Sequence, residues 1–305
     1  MITITNPTEA ELEHVLQVAF QHLPPTEFEL RVGTMLQQYQ SGQVDLNGIF
    51  QAKYENTLVG AMYAQCRPDG AVMLLVPAMA KGFPLEPMFE SLVQYCRVQN
   101  VFAAVALADR NQPFDEQSLC SVGQFRFLSE LVHLATEISP NESTDKPYCL
   151  QFVPLSDYSA DTADRLAQLV KKTYQETLDF PDLMQIAPVE HVLQGYKNGA
   201  LFRPELWFFI QKNDTDIGVL LLTDASPEAF ELTYVGLLES ARRQGFSREI
   251  IRFARETTSR ERRLLLLTSV DEKNLPAYQS YLAQGFKAWD RKKIYARLFG
   301  TQSEG

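Results

Sequence analysis

The stretch Ala241-Arg-Arg-Gln-Gly-Phe-Ser247 holds two arginines and a glycine two residues before a serine. It follows Phe230 to Leu238, a run rich in β-branched and aromatic residues that reads as a strand. It leads into Phe246, Ile250, Phe253 and Ala254, which share one face at helical spacing. The turn therefore ends at a helix N-terminus, where unpaired N–H groups and the helix dipole favour an anion. Gly245 lets the backbone approach a phosphate closely, Ser247 adds a small donor, and Arg242 and Arg243 bring fixed positive charge. The chemistry on offer is a pyrophosphate cradle. Taken alone, Arg242 to Ser247 also fit a solvated basic turn that caps a helix.

A second block, Asn274-Leu-Pro-Ala-Tyr-Gln-Ser-Tyr-Leu-Ala-Gln-Gly-Phe286, supports the first at a distance. Arg242-x-x-Gly245-x-Ser247, between a strand and a helix, resembles the acetyl-CoA motif of the GNAT-type N-acetyltransferases, Arg/Gln-x-x-Gly-x-Gly/Ala. Ser247 departs from that pattern at the third small position. Asn274, Ala277, Tyr281, Gly285 and Phe286 keep every spacing of the family's Asn-x-x-Ala-x-x-x-Tyr-x-x-x-Gly-Phe signature. Two blocks in the right order are more specific than either alone. The resemblance covers residues 148 to 297 and reaches the first half only through a shared order of elements.

The resemblance implies acetyl transfer from acetyl-CoA, a co-substrate, to an amine, with no metal. The backbone of Val235, Gly236 and Leu237 would bind the pantetheine arm. Arg242, Arg243, Gln244, Gly245, Phe246 and Ser247 would hold the pyrophosphate. Asn274 would lie near the arm, although it is equally suited to cap the helix it opens. Tyr281 would protonate the leaving thiolate; its plainer role is a packed helix aromatic. Glu231 matches the base of the histone acetyltransferase branch. It lies four residues before Val235, so strand alternation places both on one face. Partial burial would raise its pKa toward neutrality; a solvated edge carboxylate is the alternative. In the family the loop after the first helix helps build the acceptor site. Here Asp179 and Asp182 flank Phe180-Pro181 in that loop, and both are expected to help bind a cationic acceptor, or else to cap helices.

These residues need a frame, and the chain supplies it twice. Each half opens with a short strand, continues with helices (Glu9 to His22; Thr162 to Glu176), and then runs through three strands, a helix, an apolar strand, a helix and a last strand. Lys81-Gly-Phe-Pro84 stands opposite Gln244-Gly-Phe-Ser247, and Ser121-Val-Gly-Gln-Phe125 opposite Leu282-Ala-Gln-Gly-Phe286. The nearly constant offset points to duplication. The expected class is α/β (α+β): two tandem GNAT-like domains, each a mixed, mostly antiparallel sheet flanked by helices. The expected boundaries are 1–138, a linker at 139–147, and 148–300. This tandem layout resembles that of the mycothiol synthases, without grounds for assigning their activity.

The first copy is eroded. Met79 and Ala80 stand opposite Arg242 and Arg243, and Pro84, which has no N–H, opposite Ser247. Leu119 stands opposite Tyr281. This half is expected not to catalyse.

Totals narrow the partners. A net charge of -10 disfavours nucleic acid. The start has no basic, apolar leader and no run is long enough to span a membrane, so the chain reads as cytoplasmic with no membrane partner. Cys66, Cys96, Cys120 and Cys149 lack metal or redox spacing and read as small buried hydrophobes, and Trp207 and Trp289 as packing residues. The expected partner is a small-molecule or peptide amine; oligomeric state is open.

Overall fold

The computed structural model describes residues 1–299 apart from 76, 110–113, 141, 143–145, 156 and 199–201. In chain order the first half forms β1 (Ile2–Thr5), α1 (Glu9–Phe20), α2 (Pro25–Gln40), β2 (Ile49–Tyr54), β3 (Thr57–Cys66), β4 (Ala71–Leu74), β5 (Ala78–Met79), α3 (Glu86–Val98), β6 (Ala103–Asp109), α4 (Glu116–Ser121) and β7 (Arg126–Glu137). The second forms β8 (Gln151–Pro154), α5 (Ala160–Thr173), α6 (Pro181–Met184), α7 (Val189–Asn198), β9 (Trp207–Lys212), β10 (Thr215–Ser226), β11 (Ala229–Leu237), α8 (Phe246–Arg260), β12 (Leu265–Asp271), α9 (Leu275–Leu282) and β13 (Lys287–Leu298). The repeated order is the one read from the sequence, with two additions: a two-residue strand, β5, after β4 in the first half, and a short helix, α6, that begins in the Asp179–Asp182 loop of the second.

Two compact units result: Met1–Leu128 with Lys293–Gly305, and Ser129–Lys292. This division differs from the boundaries read at 138 and 148. β7 and β13 are long strands, and each serves one unit over its first residues and the other over the rest. Each unit is thus completed by a strand from the opposite half of the sequence.

In unit 1 the strand order is β1-β2-β3-β4-β6-β13, with β5 beside β3. Its apolar interior includes Met62, Leu74, Met88, Phe89, Leu92, Leu119 and Tyr295. In unit 2 the order is β7-β12-β11-β10-β9-β8. There β11 and β12 run parallel, while β7/β12, β11/β10, β10/β9 and β9/β8 are antiparallel. Val219 to Leu222 are all buried because helices cover both faces of β10. One face packs on Phe246, Ile250 and Ala254 of the predicted α8 stripe and on Ile251, which that stripe did not include, while Phe253 is only partly buried. The other packs on Leu166, Leu169 and Val170 of α5, whose start is capped by Ser159.

Some expectations about packing residues change. Only Cys96 of the four cysteines is buried; Cys149 is exposed, with its Sγ 2.9 Å from Glu249. Trp207 is fully buried, but Trp289 is 63% exposed.

Candidate active site

Unit 2 contains a gap in its sheet. β11 runs to Leu237 and β12 to Asp271, yet their pairing ends at Leu232 with Thr268. Beyond that point the strands have no mutual register. Leu238 N–H donates to the Ile217 carbonyl at 2.8 Å. Alternation back along β11 then turns the backbone groups of Gly236 and Tyr234 toward β10, and those of Val235 and Leu237 toward the gap. On the other side, Glu272 N–H donates to the Glu130 carbonyl at 2.9 Å, so Ser269 and Asp271 turn theirs toward the gap. Of the three expected pantetheine residues, Val235 and Leu237 therefore present backbone to the gap. Gly236 acts sterically: a Cβ there would lie 2.6 Å from Thr173 Oγ1 and 2.6 Å from the Tyr234 hydroxyl.

Tyr281 stands at the closed end. It is 5% exposed, packs on Phe286 at 5.3 Å between ring centroids, and shares a hydrogen bond with Thr268. Thr268 in turn donates its hydroxyl to the Leu232 carbonyl at 3.0 Å, across the last paired rung. Burial pushes the phenol of Tyr281 up, which keeps it protonated and able to donate.

Glu231 is not where strand alternation placed it. Val235 opposes Leu220 and Tyr234 opposes Leu221, but Leu232 opposes Leu222 and Glu231 opposes Thr223. Thr233 is an extra residue, a β-bulge, and its Oγ1 lies 2.6 Å from Thr223 Oγ1. The bulge shifts the alternation by one. Glu231 shares a face with Tyr234, not Val235. That is the α5 face, where the Tyr234 hydroxyl meets Thr173 Oγ1 at 2.6 Å. Burial raises the Glu231 carboxyl above the usual glutamate value.

The same face collects residues that sequence reading missed. Leu267 opposes Glu231, so Ser269 and Asp271, two and four residues on, share that face. Ser269 Oγ lies 2.8 Å from His133 Nδ1, and the His133 ring is 5.5 Å from the exposed Trp289 ring. Asp271 accepts from Phe180 N–H at 3.1 Å and from the Ser129 hydroxyl. Asp179 lies on the gap itself: Asp271 N–H, on the free edge of β12, donates to its Oδ1 at 2.9 Å. Desolvation raises the Asp179 carboxyl to about 6, against hydrogen bonds from Asp271 and Asn274 that pull it down. Asp182 is exposed on α6, so the two loop aspartates do not act side by side. Asn274 caps α9, accepting from Ala277 N–H at 3.4 Å, and also bonds Asp179.

The basic turn lies at the open end of the gap, and its arginines divide. The guanidinium of Arg242 donates to the carbonyls of Leu237 at 3.0 Å, Glu176 at 3.0 Å and Thr173 at 2.8 Å. Its backbone N–H goes to Glu239. The expected phosphate ligand is thus a strut between α5 and β11. Arg243 is exposed at φ +59, and Gly245 follows at φ +82. The N–H groups from Arg243 to Ser247 find no backbone acceptor among the described residues, which leaves an anion nest at the start of α8. The Gln244 amide folds back to the Ser240 carbonyl at 2.7 Å. Lys212 of β9, with its ammonium 4.7 Å from the Phe246 ring, adds a cation that no local motif announced. No group of three or more possible metal ligands occurs among the described residues.

The counterpart in unit 1 lacks these parts. Leu119 is 1% exposed in the core. Glu86 and Pro87 open α3, so a negative charge and a missing N–H stand where an anion would bind.

A splayed parallel pair, a bulged strand and an anion-ready helix start together define a recognisable fold. The chain has the fold of the GCN5-related N-acetyltransferases. A solved member from Sphaerobacter thermophilus superposes with a TM-score of 0.56 at 14% identity, covering 98% of this chain and 96% of that one. A tandem GNAT protein from the clavulanic acid biosynthesis pathway gives 0.50 at 11% identity, covering 99% and 100%. The glucosamine N-acetyltransferase region of a fungal multi-domain GH3 β-N-acetylglucosaminidase gives 0.53 at 11%, covering 97% of this chain and 38% of that one. No protein-family model matches the sequence, and no curated protein is significantly similar to it.

Proposed function

We propose that the chain is an acetyl-CoA-dependent N-acetyltransferase in which unit 2 acetylates the primary amine of a small molecule or peptide. The observation that carries this reading is the gap between β11 and β12, with Tyr281 at its closed end and the anion-ready start of α8 at its open end.

Acetyl-CoA supplies an activated thioester. The N–H groups from Arg243 to Ser247 hold its pyrophosphate, helped by the charges of Arg243 and Lys212. The free backbone edge of Val235 and the N–H of Leu237 take the amide-bearing arm, the Leu237 carbonyl being held by Arg242. Glu231, or a water it orders, removes a proton from the acceptor ammonium, a task its raised pKa suits. The amine nitrogen then bonds to the carbonyl carbon, the C–S bond breaks, and the Tyr281 hydroxyl protonates the thiolate. Asp179, on the same gap and raised to about 6, favours an acceptor that arrives as a cation. Unit 1 contributes no chemistry in this scheme.

The test is coenzyme A release from acetyl-CoA over a panel of amines, with Tyr281→Phe as control. Turnover should fall about 10²- to 10³-fold in the variant while acetyl-CoA binding persists. Tight binding with no release for any amine would mark a non-catalytic acyl-CoA-binding module instead.

A further inference from the structure

On the α5 side of unit 2 the cover over the sheet changes at β11. There the Tyr234 hydroxyl still meets Thr173 of α5. Beyond it, side chains on the same side are only half-buried: Leu267 and Ser269 on β12, Ala135 and His133 on β7. Their neighbours on the other side, Leu266, Thr268, Val132 and Leu134, are buried. The half-buried set forms a floor in register, because Glu231 opposes Leu267, Leu267 opposes Ala135, and Ser269 opposes His133. It borders the gap, which opens beyond Thr268, the residue before Ser269.

Trp289 closes the far side of this floor. It is 63% exposed, and its ring lies 5.5 Å from that of His133 at a tilt of 36°. The fold gains little from an indole left in water. Its neighbour is held in place, since His133 Nδ1 lies 2.8 Å from Ser269 Oγ. Burial lowers the His133 pKa despite nearby Asp290, so the ring is neutral at pH 7.

The composition of the floor selects the ligand. Leu267, Ala135 and the two rings are apolar, and the one hydroxyl, that of Ser269, is already engaged by His133. The hydroxyls of a sugar would find few partners here, whereas a flat apolar ring finds aromatic neighbours to stack on. The negative charge lies at the other end, on Glu231. Neighbouring strands are about 4.8 Å apart, so His133 lies roughly 7 Å from the middle of the gap. A short alkyl tether between amine and ring covers that span.

We propose that the acceptor is a primary amine joined by a short alkyl tether to a flat aromatic ring, and that the ring lies on His133 and Trp289. This rests on the acetyltransferase reading of unit 2 and makes these two residues its specificity determinants.

Steady-state kinetics with phenethylamine and cyclohexylethylamine, alike in charge and length but not in flatness, test this. The aromatic amine should have a KM about threefold to tenfold lower, and glucosamine should be the poorest acceptor of the three. The double variant Trp289→Ala/His133→Gln should bring the two KM values together, with far-ultraviolet circular dichroism to establish that it is folded. Binding is read without turnover: Trp207 is fully buried, so acrylamide quenching reports Trp289, and phenethylamine should shield it. Shielding without coenzyme A release from any amine would keep the ring site and remove acetyl transfer. Equal KM values in the native protein, a preference for glucosamine, or a ring preference that survives the double variant would overturn the proposal and leave acetyl transfer standing.

Discussion

Half-buried on the edge of the gap, the Asp179 carboxyl carries a pH signature. Its ordinary value of 3.8 is raised to about 6, mainly by desolvation. The folded state therefore holds this proton more tightly than the unfolded one. The resulting stabilisation is complete below the unfolded value and is lost as pH rises through about 6, a change of about 2–3 kcal/mol. Asp179→Asn should remove that fall. Urea unfolding across this pH range should show the native protein losing stability with rising pH and the variant nearly level; equal slopes would place Asp179 in water. At this scale the sequence singled out Gly245 and Asn274 by the turn and the cap they serve locally, and Tyr281 through the motif resemblance. It did not show that Asp179 would be half-buried against Asp271, which lies 92 residues away.

The elements decide which side chains the turn can offer. Arg242 and Arg243 are adjacent and chemically identical, yet one braces α5 against β11 and the other is exposed. Arg242→Ala strands three carbonyl bonds and should lower the melting temperature by several degrees, at roughly 1–3 kcal/mol. Arg243→Ala should leave melting unchanged and raise the KM for acetyl-CoA several-fold. Differential scanning calorimetry and steady-state kinetics on both variants give the comparison; equal melting losses would contradict the division. α5 begins at Ala160 behind its Ser159 cap, two residues before the start read from the sequence, whereas the start of α9 was legible because Asn274 caps it locally. The bulge at Thr233 was not. It exists through the register of β11 against β10, and it moves Glu231 to the face opposite Val235.

For the whole molecule, the two units do not follow the two halves of the sequence. A fragment of residues 139–305 retains every motif of the second half but lacks Ser129 to Glu137, the strand that pairs Leu265 to Asp271 along seven residues. It leaves an apolar strand edge open, and such edges associate. The fragment should aggregate or unfold, as judged by size-exclusion chromatography and circular dichroism. A monomeric, cooperatively folding fragment would show that β7 is dispensable. The repeated run of strands and helices apart from β5 and α6, the helix start at Gly245 and the loss of Tyr281's counterpart in the first half were determined by the sequence itself, because local spacing and composition fix them. Tertiary structure alone decided the rest: which strand completes each unit, which face Glu231 occupies, and that Arg242 is a strut. Those depend on register and on contacts between residues far apart in the chain, and no local pattern encodes either.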